Sequence, residues 1–154
     1  KFDLYELIKE VIGLLEIRAK KKKIDLVFQK LNNEEVLWVN ADRKRISQVL
    51  MNLAINSLKY GVKGGTTEFA IGRLSKQKIL VRIIDNGSGI EEHHISRLFE
   101  RFYRIDKARN RDEGGSGLGL AIVKHIIEAH KEKIYVQSTF GVGSEFSFSL
   151  TESK

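Results

Sequence analysis

The C-terminal end of the chain constrains the fold more than any other part of the sequence. Residues 133–138 and 144–151 are both predicted to be strands, and Gly141 and Gly143 lie between them. A glycine-rich connection this short joins antiparallel strands, so the chain closes on a β-hairpin. A strict repeat of strand, helix and parallel strand is therefore excluded.

In the rest of the chain, some segments carry apolar residues at the spacing of a helix, and others alternate apolar and polar residues as a strand does. Asp3 and Glu6 form a capping-box pair ahead of an apolar helical pattern, which predicts a helix over residues 4–22. Asp42 is placed to cap a second helix that runs to Tyr60. Strands are also predicted over residues 24–30, 36–40, 66–74 and 78–85, and helices over residues 91–102 and 118–129.

These elements predict an α+β sandwich, with helices packed on one face of a mixed, mostly antiparallel sheet. The length of 154 residues fits a single domain. The one tryptophan, Trp38, is predicted to pack in the core. No apolar run approaches the roughly 18 residues that a membrane span needs.

The composition excludes some kinds of site and leaves others open. The chain has no cysteine, so it carries neither a disulfide framework nor a thiolate metal site. Its 27 Lys and Arg residues against 20 Asp and Glu residues give a formal net charge of +7. The basic run over residues 18–23 has no interleaved aromatic residues of the kind that stack on nucleic-acid bases. Basic residues of this kind usually lie on solvated faces.

A narrow polar stripe runs along the helix predicted over residues 42–60. Its members are Gln48, Asn52, Asn56 and Lys59, which share one face of a helix. The stripe is either a solvent-exposed face or part of a site. Two asparagines one turn apart, followed by a lysine, favour a site, because amide oxygens bind a hard cation and an ammonium binds a phosphate.

The segment from Asp85 to Ile90 directly follows a predicted apolar strand. Its Asn86-Gly87 pair is typical of a tight turn. A ligand site is the alternative: Asp85 would be a partly buried acceptor, and Gly87 and Gly89 would let a flat ligand approach the backbone. A carboxylate in that position suits an exocyclic amine such as that of adenine.

Glycines also dominate residues 114–119, which lead into the helix predicted over residues 118–129. This segment is either a flexible loop or a phosphate site, because free N–H groups and the helix dipole favour anions at a helix N-terminus. It does not match a Rossmann fingerprint, since Leu120 stands where the last glycine should be, and the chain has no P-loop pattern.

The stretch before these glycines combines aromatic and basic residues. Phe99 and Phe102 lie three residues apart and are predicted to anchor the end of the short helix in the core. The basic side chains that follow either neutralise a triphosphate or are solvated. They are Arg101, Arg104, Lys107, Arg109 and Arg111.

Taken in order, these segments resemble the catalytic and ATP-binding domain of bacterial sensor histidine kinases, in the superfamily that also contains gyrase, Hsp90 and MutL. The resemblance covers nearly the whole chain, and residues 101–124 look most like the phosphate-regulon and cell-wall type of sensor. The resemblance implies the Bergerat ATP-binding fold, a two-layer sandwich with about three helices on one face of the sheet and a mobile lid over residues 103–116. The matching boxes are residues 48–60 (N box), 85–90 (G1 box), 98–103 (F box), 115–120 (G2 box) and 141–146 (closing box).

The resemblance also implies an ATP site with a bound Mg²⁺. Asn56 would hold Mg²⁺ against the phosphates, with Asn52 beside it, and Lys59 would reach the phosphates. Tyr60 would lie near the adenine, and Asp85 would accept a hydrogen bond from the adenine amine. The other positions implied to contact ATP are Gly87, Gly89, Ile90, Tyr103, Arg104, Lys107, Arg109, Gly115, Gly117, Leu118, Gly119, Leu120 and Ser144.

The implied activity is transfer of the γ-phosphoryl group of ATP to a histidine on a separate domain, which then feeds a response-regulator aspartate. In hydrolytic relatives a glutamate stands where this chain has Asn52, so hydrolysis is expected to be suppressed. A hydrolytic ATPase or a serine protein kinase of the same superfamily, and a nucleic-acid-binding module, are the alternatives. No histidine lies in an acceptor pattern, so all four are expected to be solvated or structural: His93, His94, His125 and His130.

Further expectations concern what lies outside this chain. Residues 1–154 are expected to form one catalytic domain that lacks the dimerisation and phosphoacceptor helices, with its first helix against those helices. The full-length protein is expected to be a homodimer anchored at the bacterial inner membrane, and this cytoplasmic domain is expected to be monomeric alone. The expected partners are those helices and a cognate response regulator, and nucleic acid is not among them.

Overall fold

The computed structural model describes residues 1–105 and 118–153. Within those residues, seven strands form one sheet. The strands are β1 (Phe2–Asp3), β2 (Asp25–Gln29), β3 (Trp38–Asn40), β4 (Thr66–Arg73), β5 (Lys78–Asp85), β6 (Ile134–Thr139) and β7 (Gly143–Glu152).

Four helices accompany the strands in the described residues: α1 (Leu4–Lys22), α2 (Arg43–Tyr60), α3 (Glu92–Ile95) and α4 (Gly119–Ala129). Asp3 caps α1, because its Oδ1 accepts a hydrogen bond from the N–H of Tyr5 at 3.0 Å. Asp42 caps α2 in the same way, accepting from the N–H of Arg45 at 3.3 Å. The predicted bounds of both helices are confirmed, since each starts at a side chain that satisfies an otherwise unpaired backbone N–H.

The strand order is β1-β3-β7-β5-β4-β2, and β6 also pairs with β7. Only β2 and β4 are parallel within the described sheet; the other pairs are antiparallel. One edge of β7 pairs with β5, while its other edge pairs with β6 and then with β3. The closing hairpin β6–β7 is thus confirmed. It places β7 beside the C-terminal end of β5, where Asp85 lies.

The core lies between the sheet and the three long helices. Helix α2 lies between α1 and α4 and also contacts β4 and β5. Along β5, Ile79, Val81 and Ile83 are buried and alternate with less buried residues, so one face of the strand meets the helices. The predicted α+β sandwich with a mixed, mostly antiparallel sheet is confirmed. None of the helices in residues 1–105 and 118–153 has the length and apolar character that a membrane crossing requires.

The prediction that Trp38 packs in the core is wrong. Its side chain is 43 % exposed, and the ammonium of Lys1 lies 5.0 Å from the centroid of its ring. Successive side chains of a strand point to opposite faces, and here Leu37 and Val39 take the buried positions. Because Trp38 and its two aliphatic neighbours are all apolar, the sequence does not show whether the tryptophan or its neighbours face the core.

The helix predicted over residues 91–102 is much shorter in the structure. Only Glu92–Ile95 is helical. Hydrogen bonds to the third residue back follow, including those from Arg97 N–H to His94 O and from Glu100 N–H to Arg97 O, both at 3.0 Å. These bonds make consecutive turns and end the regular helix.

The prediction for the phenylalanine pair is half right. Phe99 packs edge to face against Phe146, with ring centroids 6.3 Å apart. Phe102 is 63 % exposed and has a φ of 66°. The prediction placed Phe99 and Phe102 on one face of a helix. The left-handed backbone at Phe102 is not helical, so its side chain leaves that face.

Candidate functional site

The carboxylate of Asp85 lies at the C-terminal end of β5 and is 7 % exposed. Its Oδ1 accepts a hydrogen bond from the N–H of Gly87 at 2.9 Å. Its Oδ2 accepts a hydrogen bond from the hydroxyl of Ser57 at 3.3 Å, and the backbone of Ser144 donates a third. Helix α2, the loop after β5 and strand β7 therefore all converge on one buried acid.

The Ser57 hydroxyl is itself held by a second buried hydroxyl. Its Oγ lies 2.9 Å from Oγ1 of Thr67, which stands opposite Asp85 in the register of β4 and β5. Ser57 is 2 % exposed and Thr67 is completely buried. Sequence reasoning missed both residues, because only the register of the sheet and the position of α2 bring them to Asp85.

Burial raises the pKa of Asp85, and the hydrogen bonds from Gly87, Ser144 and Ser57 oppose that shift without cancelling it. Desolvation disfavours the charged form of a carboxyl group, whereas donors stabilise it. A further donor from a ligand would stabilise the ionised form in the same way. Asp85 is thus suited to accept a hydrogen bond in this pocket, as the sequence predicts.

The glycines after Asp85 pack against the protein's own backbone. A Cβ at Gly87 would lie 2.3 Å from the carbonyl oxygen of Tyr60, and a Cβ at Gly89 would lie 2.2 Å from that of Thr139. Gly89 also has a φ of 72°, which favours glycine. The sequence-based reason for these glycines, room for a flat ligand, is therefore replaced by close packing of the loop between α2 and the β6–β7 hairpin. Their predicted contact with ATP stays a prediction.

A network of hydroxyls joins that loop to the hairpin. The N–H of Ile90 donates to Oγ of Ser138 at 2.7 Å. The hydroxyls of Ser138 and Ser144 lie 2.8 Å apart, and that of Ser138 donates to Gly143 O at 3.0 Å. Two predicted site residues, Ile90 and Ser144, are thus linked through Ser138, which the sequence reasoning did not single out.

The polar stripe of α2 is exposed at Gln48 and half-buried at its other three positions. The amide of Asn52 donates from Nδ2 to Gly119 O at 3.4 Å, which ties α2 to the start of α4. The side-chain amide of Asn56 makes no hydrogen bond to another described residue, so its oxygen is open to a ligand. The ammonium of Lys59 lies 5.0 Å from the ring centroid of Tyr60.

Helix α4 begins without a side-chain cap. Its N-cap residue, Leu118, has no side-chain acceptor for the first N–H groups. Among residues 1–105 and 118–153, a Cβ at Gly119 would approach only Cγ of Asn52, at 3.9 Å, and Leu120 is half-buried beside it. A helix N-terminus without a side-chain cap favours an anion.

The side chain of Arg104 provides a second indication of an anion. Its Nε and Nη2 are buried and have no hydrogen-bond partner, and no other buried side-chain nitrogen or oxygen in residues 1–105 and 118–153 shares this state. Buried guanidinium N–H groups without an acceptor are unfavourable until an anion pairs with them. Next to it, the hydroxyl of Tyr103 contacts Nδ1 of His94, and the guanidinium of Arg97 lies 4.5 Å from the Tyr103 ring centroid.

Several predicted site residues lie outside the described residues. They are Lys107, Arg109, Gly115 and Gly117, together with most of the lid predicted over residues 103–116. Their predicted roles stay predictions.

The donor set can be tested against a bound Mg²⁺. In residues 1–105 and 118–153 no three His, Cys, Asp or Glu side chains come close enough together to hold a metal ion. Mg²⁺ is, however, commonly held by one or two protein oxygens together with substrate phosphates. The open amide of Asn56 and the anion-favouring groups at α4 and Arg104 fit that kind of site.

The model of the family described as histidine kinase-, DNA gyrase B- and HSP90-like ATPases matches residues 41–154. The chain belongs to this ATPase family. The match contains α2, the Asp85 loop and the start of α4, which are the parts that converge in the structure.

Curated relatives of this ATPase domain include two sensor kinases named WalK. The sensor histidine kinase WalK of Bacillus subtilis is 42 % identical over 115 residues, which is 74 % of this chain and 19 % of the relative. The sensor protein kinase WalK of Staphylococcus haemolyticus is 36 % identical over 149 residues, which is 96 % of this chain and 24 % of the relative. The chain thus spans about a quarter or less of these relatives.

Solved structures with the same fold also come from histidine kinases. The nucleotide-free catalytic domain of the histidine kinase ThkA has a TM-score of 0.81 and 32 % identity, covering 99 % of this chain and 97 % of that one. ThkA in complex with the response regulator TrrA has a TM-score of 0.78 and 31 % identity, covering 99 % of this chain and 41 % of that one. Full-length ShkA in complex with AMPPNP has a TM-score of 0.84 and 27 % identity, covering 98 % of this chain and 31 % of that one. The resemblance to sensor histidine kinase catalytic domains is confirmed.

Proposed function

We propose that this domain binds ATP with Mg²⁺ and donates the γ-phosphoryl group to a histidine of a separate dimerisation domain. The observation that carries the proposal is the buried Asp85 carboxylate, which three protein donors hold at the end of β5 beside α2. An acceptor-only group in a buried pocket suits the amine of an adenine ring. The similarity to ShkA, which was solved with AMPPNP, supports the assignment.

The phosphates would lie toward the start of α4. There the N–H groups of Gly119 and Leu120, which the side chain of Leu118 does not cap, favour negative charge. The buried Nε and Nη2 of Arg104, which have no acceptor among the described residues, favour an anion as well. Asn56 would offer its amide oxygen to Mg²⁺, and Lys59 would add a positive charge from the last turn of α2. The ion supplies charge neutralisation on the phosphate oxygens when it is bound.

The groups on α2 position the substrate, and the residue at position 52 is an amide that cannot act as a base for water. Phosphoryl transfer depends chiefly on positioning and electrostatic stabilisation. On α2, Asn52 stands where hydrolytic relatives have a glutamate, and its amide is committed to Gly119 O. An amide cannot take a proton from water, so the terminal phosphoryl group would be kept for an incoming histidine. Hydrolysis is the second candidate reaction, and this arrangement disfavours it.

The acceptor would come from elsewhere in the full-length protein. His130 is occupied by two structural hydrogen bonds, and none of the four histidines lies in an acceptor sequence pattern. The names of the WalK relatives and the complex of ThkA with its response regulator support a place in two-component signalling. We propose upstream dimerisation helices and a cognate response regulator as partners, and a cytoplasmic location on a membrane-anchored homodimer.

A single-turnover assay tests this proposal. The full-length protein is mixed with ATP labelled on its γ-phosphate, and protein-bound label and free phosphate are followed together. Label that is lost in acid and kept in base identifies phosphohistidine and supports the proposal. Label that is stable in acid would favour a serine kinase. Rapid release of free phosphate without a labelled protein would favour the hydrolytic ATPase.

A further inference from the structure

The half-buried side chain of Tyr103 is held by two residues that precede it in the chain. Its hydroxyl contacts Nδ1 of His94, on helix α3, and the two ring centroids lie 5.8 Å apart. A hydroxyl both donates and accepts, so this contact is a hydrogen bond in either tautomer of a neutral imidazole. The guanidinium of Arg97 lies 4.5 Å from the centroid of the Tyr103 ring, within the distance of a cation–π contact. One residue thus fixes the hydroxyl and the other fixes the ring.

The two residues that hold Tyr103 are themselves restrained. The guanidinium of Arg97 donates to the carboxylate of Glu100 from both Nε and Nη2, at 3.2 Å each. The ring of His93 lies against that of His94, with centroids 4.0 Å apart. Because both side chains have lost freedom to these neighbours, they hold Tyr103 more firmly than solvated side chains would.

Arg104 directly follows Tyr103, and its position depends on the anchors on either side of it. On the C-terminal side, Ile105 packs against the hydrophobic core. On the N-terminal side, Phe102 is 63 % exposed, so the first anchored side chain is that of Tyr103. Between these anchors, Nε and Nη2 of Arg104 are buried and have no acceptor among the described residues. The contacts of Tyr103 therefore help to fix where these two N–H groups lie.

We propose that His94 is a positioning residue for nucleotide binding, whose hydrogen bond to Tyr103 holds the Arg104 guanidinium in place for a phosphate. The inference rests on the proposed function, because it takes the anion at Arg104 to be a phosphate of ATP. A guanidinium that is already held when the ligand arrives pays less ordering entropy, and its hydrogen bonds are directional. His94 acts through Tyr103 and need not touch the nucleotide.

Calorimetric titration with Mg·AMPPNP and with adenosine tests the inference. The quantity compared is the ratio of the dissociation constant for adenosine to that for AMPPNP, which reports only what the phosphates add. His94→Phe keeps a ring and removes the nitrogen that contacts Tyr103, whereas His94→Asn keeps a short polar side chain that can bond to the hydroxyl. His93→Phe is the matched control, because His93 is exposed and its Nδ1 lies 3.5 Å from Oε2 of Glu91.

In His94→Phe the ratio should fall by about three- to tenfold, the cost of ordering a side chain that is no longer held, while the affinity for adenosine stays the same. His94→Asn should restore most of the ratio, and His93→Phe should leave it unchanged. A merely structural role for His94 would instead weaken the binding of both ligands to the same degree.

Two further backgrounds test whether His94 acts through Tyr103 and Arg104. In Tyr103→Phe the hydroxyl is absent, and in Arg104→Gln the guanidinium is absent. Adding His94→Phe to either variant should produce no further fall, because residues that act in series are not additive. If His94→Phe does not fold, Tyr103→Phe decides the question: it should lower the ratio in the wild-type background and leave it unchanged in Arg104→Gln.

The results that would overturn the inference differ from failure of the proposed function. A constant ratio in folded His94→Phe, with AMPPNP still bound, removes the role of His94 and leaves ATP binding intact. An equal fall in His93→Phe, or a fall that persists in Arg104→Gln, also removes it. Absence of AMPPNP binding to the wild-type chain overturns the proposed function itself.

Discussion

The imidazole of His130 joins the C-terminal end of α4 to the start of α2. Its Nε2 accepts a hydrogen bond from the backbone N–H of Asp42 at 3.0 Å, across 88 residues of sequence. Its Nδ1 donates to Ile126 O at 2.8 Å. These two bonds fix the neutral tautomer with the proton on Nδ1. Of the two roles predicted for His130, solvated or structural, this geometry supports the structural one.

His130→Ala is expected to lower the free energy of unfolding by about 1–2 kcal/mol, because it leaves one donor and one acceptor unpaired. Urea unfolding followed by circular dichroism measures the change. His125→Ala is the control, since His125 is exposed on the same helix. Equal losses in the two variants would contradict the structural role. Nitrogen NMR shifts of His130 should in addition show the Nδ1–H tautomer.

Glu132 is expected to make stability depend on acid pH. Burial raises its pKa, but hydrogen bonds from Lys78, Ser149 and Thr151 outweigh burial and hold the pKa below the ordinary value of 4.5. A carboxyl group with a lowered pKa contributes stability above its unfolded pKa and loses that contribution as the pH falls through its folded pKa. Glu132→Gln should therefore cost roughly 2 kcal/mol at pH 7 and little at about pH 2.

Urea unfolding at a series of pH values measures the Glu132 effect. The control is Glu100→Gln, which removes an exposed partner of Arg97. Exposed ion pairs contribute little, so this variant should follow the wild-type curve. A Glu132→Gln curve parallel to that of the wild type at every pH would contradict the assignment.

Asp85→Asn is expected to separate stability from nucleotide binding. The pKa of Asp85 is raised above its ordinary 3.8, chiefly by burial, so its contribution to stability is present below the unfolded pKa and is lost as the pH rises through the folded pKa. Above its folded pKa the ionised carboxylate thus disfavours folding. The variant should keep or raise the melting temperature without nucleotide, and should lose about ten- to a hundredfold in ADP affinity.

Thermal melting with and without Mg·ADP measures both effects of Asp85→Asn. Asp25→Asn, on the exposed face of β2, serves as the control and should keep the shift that ADP produces. An Asp85→Asn protein with an unchanged ADP shift would remove the adenine assignment. A protein that unfolds without ligand would instead show that Asp85 is needed for the fold.

Arg104→Gln is expected to weaken the binding of ATP much more than that of adenosine. The variant removes a guanidinium whose buried Nε and Nη2 have no acceptor among the described residues, so stability without ligand should not fall. Calorimetry with the two ligands provides the comparison. Arg101→Gln is the control, because the Arg101 guanidinium is exposed and lies 5.7 Å from the ring centroid of Phe102. Equal losses for ATP and adenosine would contradict a phosphate contact.

The features that the sequence predicts correctly depend on residues that are close together in the chain. The capping aspartates and apolar periods of α1 and α2 are local signals, and both helices have their predicted bounds. A charged residue between an apolar strand and two glycines is unusual, so the sequence alone indicates that Asp85 belongs to a site. The resemblance to sensor histidine kinases, also read from local boxes, is confirmed by the comparisons.

The remaining features depend on contacts that are distant in the sequence. The Ser57 and Thr67 hydroxyls meet Asp85 only through the register of β4 with β5 and the packing of α2. The carbonyls that exclude a Cβ at Gly87 and Gly89 belong to residues far along the chain. The prediction for Trp38 fails for the same reason, since the sheet partners of β3 decide which of its side chains face the core.

The most direct test of the central claim is calorimetric titration of this chain with AMPPNP, with and without Mg²⁺. We expect saturable binding of one nucleotide per chain that ADP displaces, that Mg²⁺ strengthens, and whose dependence on Mg²⁺ is lost in Asn56→Ala. Absence of saturable heat from a folded chain would contradict the account, as would binding that Asp85→Asn leaves unchanged.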